Sequence, residues 1–209
     1  ITYNLLNELQ SDRSSVVGTD LLRRHFAAGD IGPVTVVARQ KHGQFDTREG
    51  EIHIAELTKQ LWDVPGIVAV RSLSEPLGDK PGFSNVFSRR GQRKLAAKKH
   101  ARTLSTFLTQ VPEMAGQVTR FDLIFAEDPF SPAAEELLNH VDHKLTALSQ
   151  DASSPWLGTE FDFTGTTAGK RDLKAVTSSD QWVIQRLVTI AVLGVLILIL
   201  RRPMICLFL

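Results

Sequence analysis

From Leu187 to Leu200 the chain carries an apolar run broken only by Thr189 and Gly194, and no other feature restricts its fold so tightly. At 1.5 Å per residue, such a helix covers roughly 20 Å of a hydrocarbon core near 30 Å. On length alone a helix buried in a protein core is the alternative to a membrane span. Extension back to Trp182 brings the helix to about the needed length, because Arg186 can snorkel toward headgroups and Trp182 suits the interface. Arg201 and Arg202 close the run, and after Pro203 a second apolar stretch begins, Met204 to Leu209. The pattern predicts a membrane helix and turn over 181–202 and the start of a further helix over 203–209. Trp182, Arg186, Arg201 and Arg202 are the candidate interface anchors, and membrane lipids are the implied partner. The two arginines sit in a very short turn between apolar runs, so the positive-inside tendency places that turn in the cytoplasm. Residues 1–180 would then form an extracytoplasmic domain.

That domain reads as globular. Of the 209 residues 43% are apolar and 22% charged, which excludes disorder and collagen-like repetition. A formal net charge of +1 gives no whole-chain field to attract nucleic acid, which is not an expected partner. Cys206 is the one cysteine, so no intrachain disulfide is possible. The first thirty residues lack the charged head, apolar core and cleavage site of a signal peptide. With Ile at position 1 and an apolar run cut at 209, the chain reads as a fragment of a longer one.

The periodicity gives a definite element order. Thr19 or Asp20 caps a short helix through Ala28, with Leu21, Leu22, His25 and Phe26 on one side and Gly29 ending it. After Gly32-Pro33, the β-branched Val34–Ala38 is a strand. Glu49 to Val64 places Ile54, Leu57, Leu61 and Val64 at helical spacing, and Ile67–Val70 is a second strand, making a βαβ unit with parallel strands. Ser74 to Gly91 is rich in Gly, Pro and Ser and reads as a loop or mobile excursion. Arg93 to Gln110 reads as one helix, basic in its first half and apolar at Leu104, Phe107, Leu108 and Val111. Its basic run is either a solvated face or a contact for anionic headgroups or an acidic partner. Val118 to Glu127 alternates as a half-buried strand, with Phe121, Leu123 and Phe125 facing inward. Ser131 and Pro132 open a helix to about Ser149 with Ala134, Leu137, Leu138, Val141, Leu145 and Leu148 buried, and Glu160–Thr164 is a last strand. The expected class is α+β: a ferredoxin-like, split βαβ sandwich with a long central insertion, followed by a transmembrane helix.

Local signatures of enzymatic chemistry are missing. Gly165-Thr-Thr-Ala-Gly169-Lys170 has three residues between its glycines where a phosphate loop needs four, and Arg171 stands where a Mg²⁺-binding hydroxyl is required. No G-x-S-x-G elbow, H-E-x-x-H or dinucleotide fingerprint occurs. Glu136, His140 and His143 could converge on Zn²⁺ from one helix face, but beside Asp142 and Lys144 they also fit an ordinary solvated face, and the reading adopted is no metal. His25 beside Phe26 reads as a packed or hydrogen-bonded residue rather than a base. No catalytic residue and no cofactor is expected.

One arrangement does resemble a known family. Leu22-Arg-Arg-His25-Phe26-Ala-Ala-Gly29, then Gly32-Pro33-Val34-Thr-Val-Val37, Val70-Arg71-Ser-Leu-Ser-Glu75-Pro76, and Leu187 to Pro203 together resemble one porter loop and the following helix of the resistance-nodulation-division superfamily, and more closely its MMPL (mycobacterial membrane protein large) branch. The resemblance spans nearly the whole chain. It implies a proton-driven inner-membrane exporter of lipids or other hydrophobic molecules, built as two similar halves. The partners implied are the rest of the same transporter chain and a hydrophobic substrate whose contacts the sequence does not assign. The family's proton relay uses acidic and tyrosine side chains in later membrane helices, and no acidic residue follows Asp180 here. A membrane-anchored extracytoplasmic sensory or protein-interaction domain is the alternative reading.

Overall fold

The computed structural model describes residues 12–26, 28–82 and 88–200. They fall into two compact units, Ile1–Gly169 and Lys170–Leu209.

The first unit is built on four strands: β1 (Val34–Arg39), β2 (Ile67–Arg71), β3 (Val118–Phe125) and β4 (Glu160–Thr164). Their order in the sheet is β2-β3-β1-β4, and every neighbouring pair is antiparallel. Since β1 and β2 both run against β3, they run in the same direction with β3 between them. The register aligns Val36 with Phe121 on one side and with Phe163 on the other, and Val34 with Leu123. Side chains alternate faces along a strand, so one face of the sheet collects Val34, Val36, Ala38, Val70, Phe121, Leu123 and Phe125. All are buried.

Two amphipathic helices complete this core. Helix α3 (Arg48–Trp62) starts where the Thr47 hydroxyl accepts the Gly50 N–H, and it buries Ile54, Leu57 and Leu61. Helix α6 (Pro132–Gln150) starts at the expected cap, with the Ser131 hydroxyl accepting the Ala134 N–H at 3.1 Å. Its stripe of Ala134, Leu138, Val141 and Leu145 is buried at the expected spacing. The Lys144 ammonium donates to the Gln60 carbonyl at 2.8 Å, tying α6 to α3. Trp156 closes one end, with its ring centroid 5.4 Å from Phe45, 6.1 Å from Phe121 and 5.8 Å from Phe161.

Several expectations need correction. The first helix, α1, covers Ser14–His25 and ends at Phe26 in extended backbone; a separate short helix, α2 (Ala28–Ile31), follows. Leu21, Leu22, His25 and Phe26 are exposed, so the expected packed side and the packed His25 are not found. Gly29 does not end a helix but lies within α2, where a Cβ would overlap the Phe125 carbonyl oxygen. Its role is close backbone approach, a requirement set by β3 nearly a hundred residues later.

The single helix expected over 93–110 is two: α4 (Arg89–Lys99) and α5 (Ala101–Phe107). His100 takes extended backbone between them, and its Nδ1 accepts the Arg102 N–H at 3.1 Å, capping the second helix. Beyond α5, Leu108 pairs with Thr119 as a strand-like bridge, which removes the last expected turn. The loop expected over 74–91 has no helix or strand over 74–82, but Ser74 and Glu75 at its start are buried and α4 already begins at Arg89; residues 83–87 lie outside the described residues. On β3, Asp122 and Ile124 are buried as well as the inward face, so the strand is covered on both sides where a half-buried one was expected.

Helix α7 (Thr166–Leu200) contains the apolar run. Among the described residues no helix is long and apolar enough to cross a membrane. The expected span draws on positions 196 and 198–202, which the described side chains do not include.

Candidate functional site

Of the four expected anchors, Trp182 and Arg186 are described, both on α7, while Arg201 and Arg202 lie outside the described residues. One turn apart, the Arg186 guanidinium stands 5.7 Å from the Trp182 ring centroid, a cation–π distance. Between and beyond them the apolar side chains lie on all sides of the helix. Val183, Ile184, Leu187, Val188, Ile190, Val192 and Val195 are each more than half exposed. Thr189, the polar break in the run, turns its hydroxyl back to the Gln185 carbonyl at 2.8 Å and so hides its own donor. A helix apolar all round needs an apolar surrounding.

The residues with apparent chemical potential are not assembled into a centre. Glu136, His140 and His143 are exposed on α6, opposite its buried stripe. Among the described residues no three His, Cys, Asp or Glu side chains are placed to hold a metal ion. The glycine-containing segment after β4 has a structural task. Gly165 adopts φ +124°, and a Cβ there would stand 2.6 Å from the Pro33 carbonyl oxygen. Two residues on, the buried Thr167 hydroxyl donates to the Pro129 carbonyl at 3.0 Å, fastening the start of α7 to the β3–α6 connection.

What the sequence did not announce is a groove within the first unit. It has a volume of about 580 Å³ and runs between the inserted helices and the β2–β3 side of the sheet. Leu77, Ala96, Ala97 and Phe107 give it an apolar lining, and Arg71, Arg102 and Asp122 bring charge. Two of these charges are already engaged. Asp122 is gripped by Arg120 through Nε at 2.8 Å and Nη2 at 3.0 Å and accepts the Thr35 hydroxyl at 2.7 Å. Arg71 contacts Asp30 at 3.2 Å.

Behind the groove, the turn after β2 carries a buried polar cluster. The Thr58 hydroxyl donates to the Ile54 carbonyl at 2.6 Å, so its lone pairs face the Ser72 and Ser74 hydroxyls at 2.8 and 3.2 Å. Ser72 also accepts the Glu75 N–H at 3.3 Å, holding the turn closed. Glu75 forms an ion pair with Lys94 of α4. Burial pushes the Glu75 carboxyl above the usual range, the Lys94 hydrogen bond and charge pull it back, and Asp79 adds to the rise. The only sequence trace of this arrangement is the Ser72-Leu-Ser74-Glu75 string immediately after a strand; the partners Thr58 and Lys94 come from other elements.

A mixed α/β domain with an antiparallel sheet, an inserted basic helical arm and an exposed apolar helix define the class. The chain belongs to the MMPL family, whose model matches residues 8–209. Members of that family are inner-membrane transporters, and membership places this chain within a larger membrane transporter. No curated protein matches the sequence.

Proposed function

We propose that this chain forms the extracytoplasmic porter part of a proton-motive-force-driven exporter of lipids or other hydrophobic molecules. The family match over residues 8–209 carries the reading. Two further features support it. The strand order, with a helix joining β1 to β2 and another joining β3 to β4, corresponds to a ferredoxin-like, split βαβ sandwich whose insertion is α4 and α5. The apolar end of α7 calls for a hydrocarbon surrounding, so we assign residues 181–202 to a membrane helix and its turn, and 203–209 to the next one. In this account residues 1–180 lie outside the cytoplasmic membrane. Trp182 and Arg186 anchor the outer interface of that helix, Arg201 and Arg202 the inner one.

The groove beside α4 and α5 is the surface at which a hydrophobic substrate would meet the domain, since Leu77, Ala96, Ala97 and Phe107 give it apolar surface and its volume suits a chain or ring system. Movement of membrane helices would reach the domain through the helical link from Lys170 to Trp182, which lies within α7. A Gly-Gly insertion after Thr177 tests this in the full-length transporter, with radiolabelled acetate used to follow lipids appearing at the cell surface. Loss of a surface lipid class at unchanged protein level is the expected result. Normal lipid export from the interrupted helix would overturn the coupling.

A further inference from the structure

The two sides of the groove are held by different forces. The strands that carry its sheet-side residues, Arg71 and Asp122, are fixed by the apolar core through Val70 and Leu123, and Phe107 of α5 belongs to that core. Its α4 side is not fixed in this way: among the described residues α4 buries no apolar side chain, and Leu95 is 45% exposed. The helix also carries no acidic residue, while Arg89 and Arg93, and Lys94 and Lys98, stand four apart as like-charge pairs. Intrinsic stability and apolar burial therefore both contribute little to holding α4 in place.

Two ion pairs take over that task, alongside the Thr103 hydroxyl of α5, which donates to the Ala97 carbonyl across His100 at 2.6 Å. Lys94 meets Glu75, and the Lys98 ammonium meets Glu51 Oε2 of α3 at 2.8 Å. The first is deep: the Glu75 side chain is 8% exposed and that of Lys94 19%. The second Glu75 oxygen, Oε2, is buried with no hydrogen-bond partner among the described residues. The desolvation of this carboxylate offsets much of the attraction to Lys94, so the contact is specific in geometry yet modest in net strength. At its far end α4 stops at His100, where one residue in extended backbone separates it from α5. Ala96, Ala97 and His100 face the groove.

We propose that α4 is a charge-latched flap on the groove, held closed by Lys94–Glu75 and Lys98–Glu51 and free to swing about His100 when those pairs are broken. This rests on the groove being the surface the domain uses, but the latch itself is a property of the folded chain. The flap moves without unfolding the sheet, because none of its side chains is part of the apolar core. Leu77 is already 47% exposed, so an opening of this kind exposes the buried Phe107 side of the groove to an entering ligand.

Hydrogen–deuterium exchange of the full-length protein in lipid nanodiscs tests the latch without any need for transport. Lys94→Met should raise exchange across residues 89–99 by at least roughly tenfold, the size expected for loss of a part-buried ion pair, with β3 and α6 unchanged. Lys98→Met, which breaks the more exposed pair, should give a smaller rise in the same segment. The double variant Glu75→Gln with Lys94→Met removes the stranded carboxylate as well as the pair. A charge latch leaves α4 looser than in wild type in that variant too, by less than in Lys94→Met because the desolvation cost leaves with the pair. Wild-type exchange of α4 in the double variant would overturn the proposal, as would a rise shared equally by β3. Loss of lipid export in the helix-interruption experiment speaks to the coupling alone and leaves the latch result standing.

Discussion

Gly29 and Glu75 show how much single residues can depend on distant parts of the chain. A methyl group at Gly29 would overlap the Phe125 backbone, which cannot retreat without disturbing β3. Gly29→Ala should therefore destabilise the domain by about 2 kcal/mol or more, measured as a lowered urea midpoint with an unchanged slope. Glu75 makes a prediction in pH. Its carboxyl is held above the unfolded range mainly by burial, so the native state binds the proton more tightly than the unfolded chain. Stability from this group is full below the unfolded value and falls as pH rises through the window up to the raised native value. Urea titrations from the acid range toward neutrality should show that decline in wild type and a flatter profile in Glu75→Gln. An identical slope in both would contradict the assignment. Neither role was legible in the sequence: Gly29 looked like a helix terminator because its neighbours are helical, and Glu75 like part of a Gly- and Pro-rich loop. What decides both is a contact from an element many residues away.

Elements with a local cause were read well. Helix α6 has its cap, its proline at the first helical position and its apolar stripe all within its own sequence, and its start and buried face agree with that pattern. Ser131→Ala should cost about 1 kcal/mol by removing the oxygen that accepts the Ala134 N–H, and chemical denaturation would register it. Strands β1 and β4 were similarly plain from β-branched or alternating residues. The inserted helices were not, for a physical reason. A break is invisible to periodicity when the residue at it, His100, caps the next helix through its own ring nitrogen and interrupts no apolar pattern. His100→Ala should fray the start of α5, seen as faster amide exchange at Arg102 and Thr103, while leaving α3 and α6 protected. The absence of an apolar stripe on α4 was, in contrast, plainly visible. Its consequence was not, because the two carboxylates that hold the helix belong to α3 and to the turn after β2.

At the scale of the whole molecule, a mixed α/β domain and an exposed apolar helix lie in one chain, and the family match over residues 8–209 covers both. The groove lay beyond sequence reasoning because its sides come from β2, β3 and two inserted helices whose arrangement no local pattern encodes. The apolar run, a property of consecutive residues, was legible at once. If it crosses the bilayer, Leu193→Lys places a charge near its middle and should cost roughly 3 kcal/mol of insertion, read as reduced membrane integration. We would replace Cys206 by Ser in the full-length protein, introduce either Ala152→Cys or Arg202→Cys, and label intact cells with a membrane-impermeant maleimide. The 152 variant should react from outside, and the 202 variant only after lysis. Reaction of both from the same side would contradict the membrane crossing, and a reversed pattern would contradict the extracytoplasmic domain.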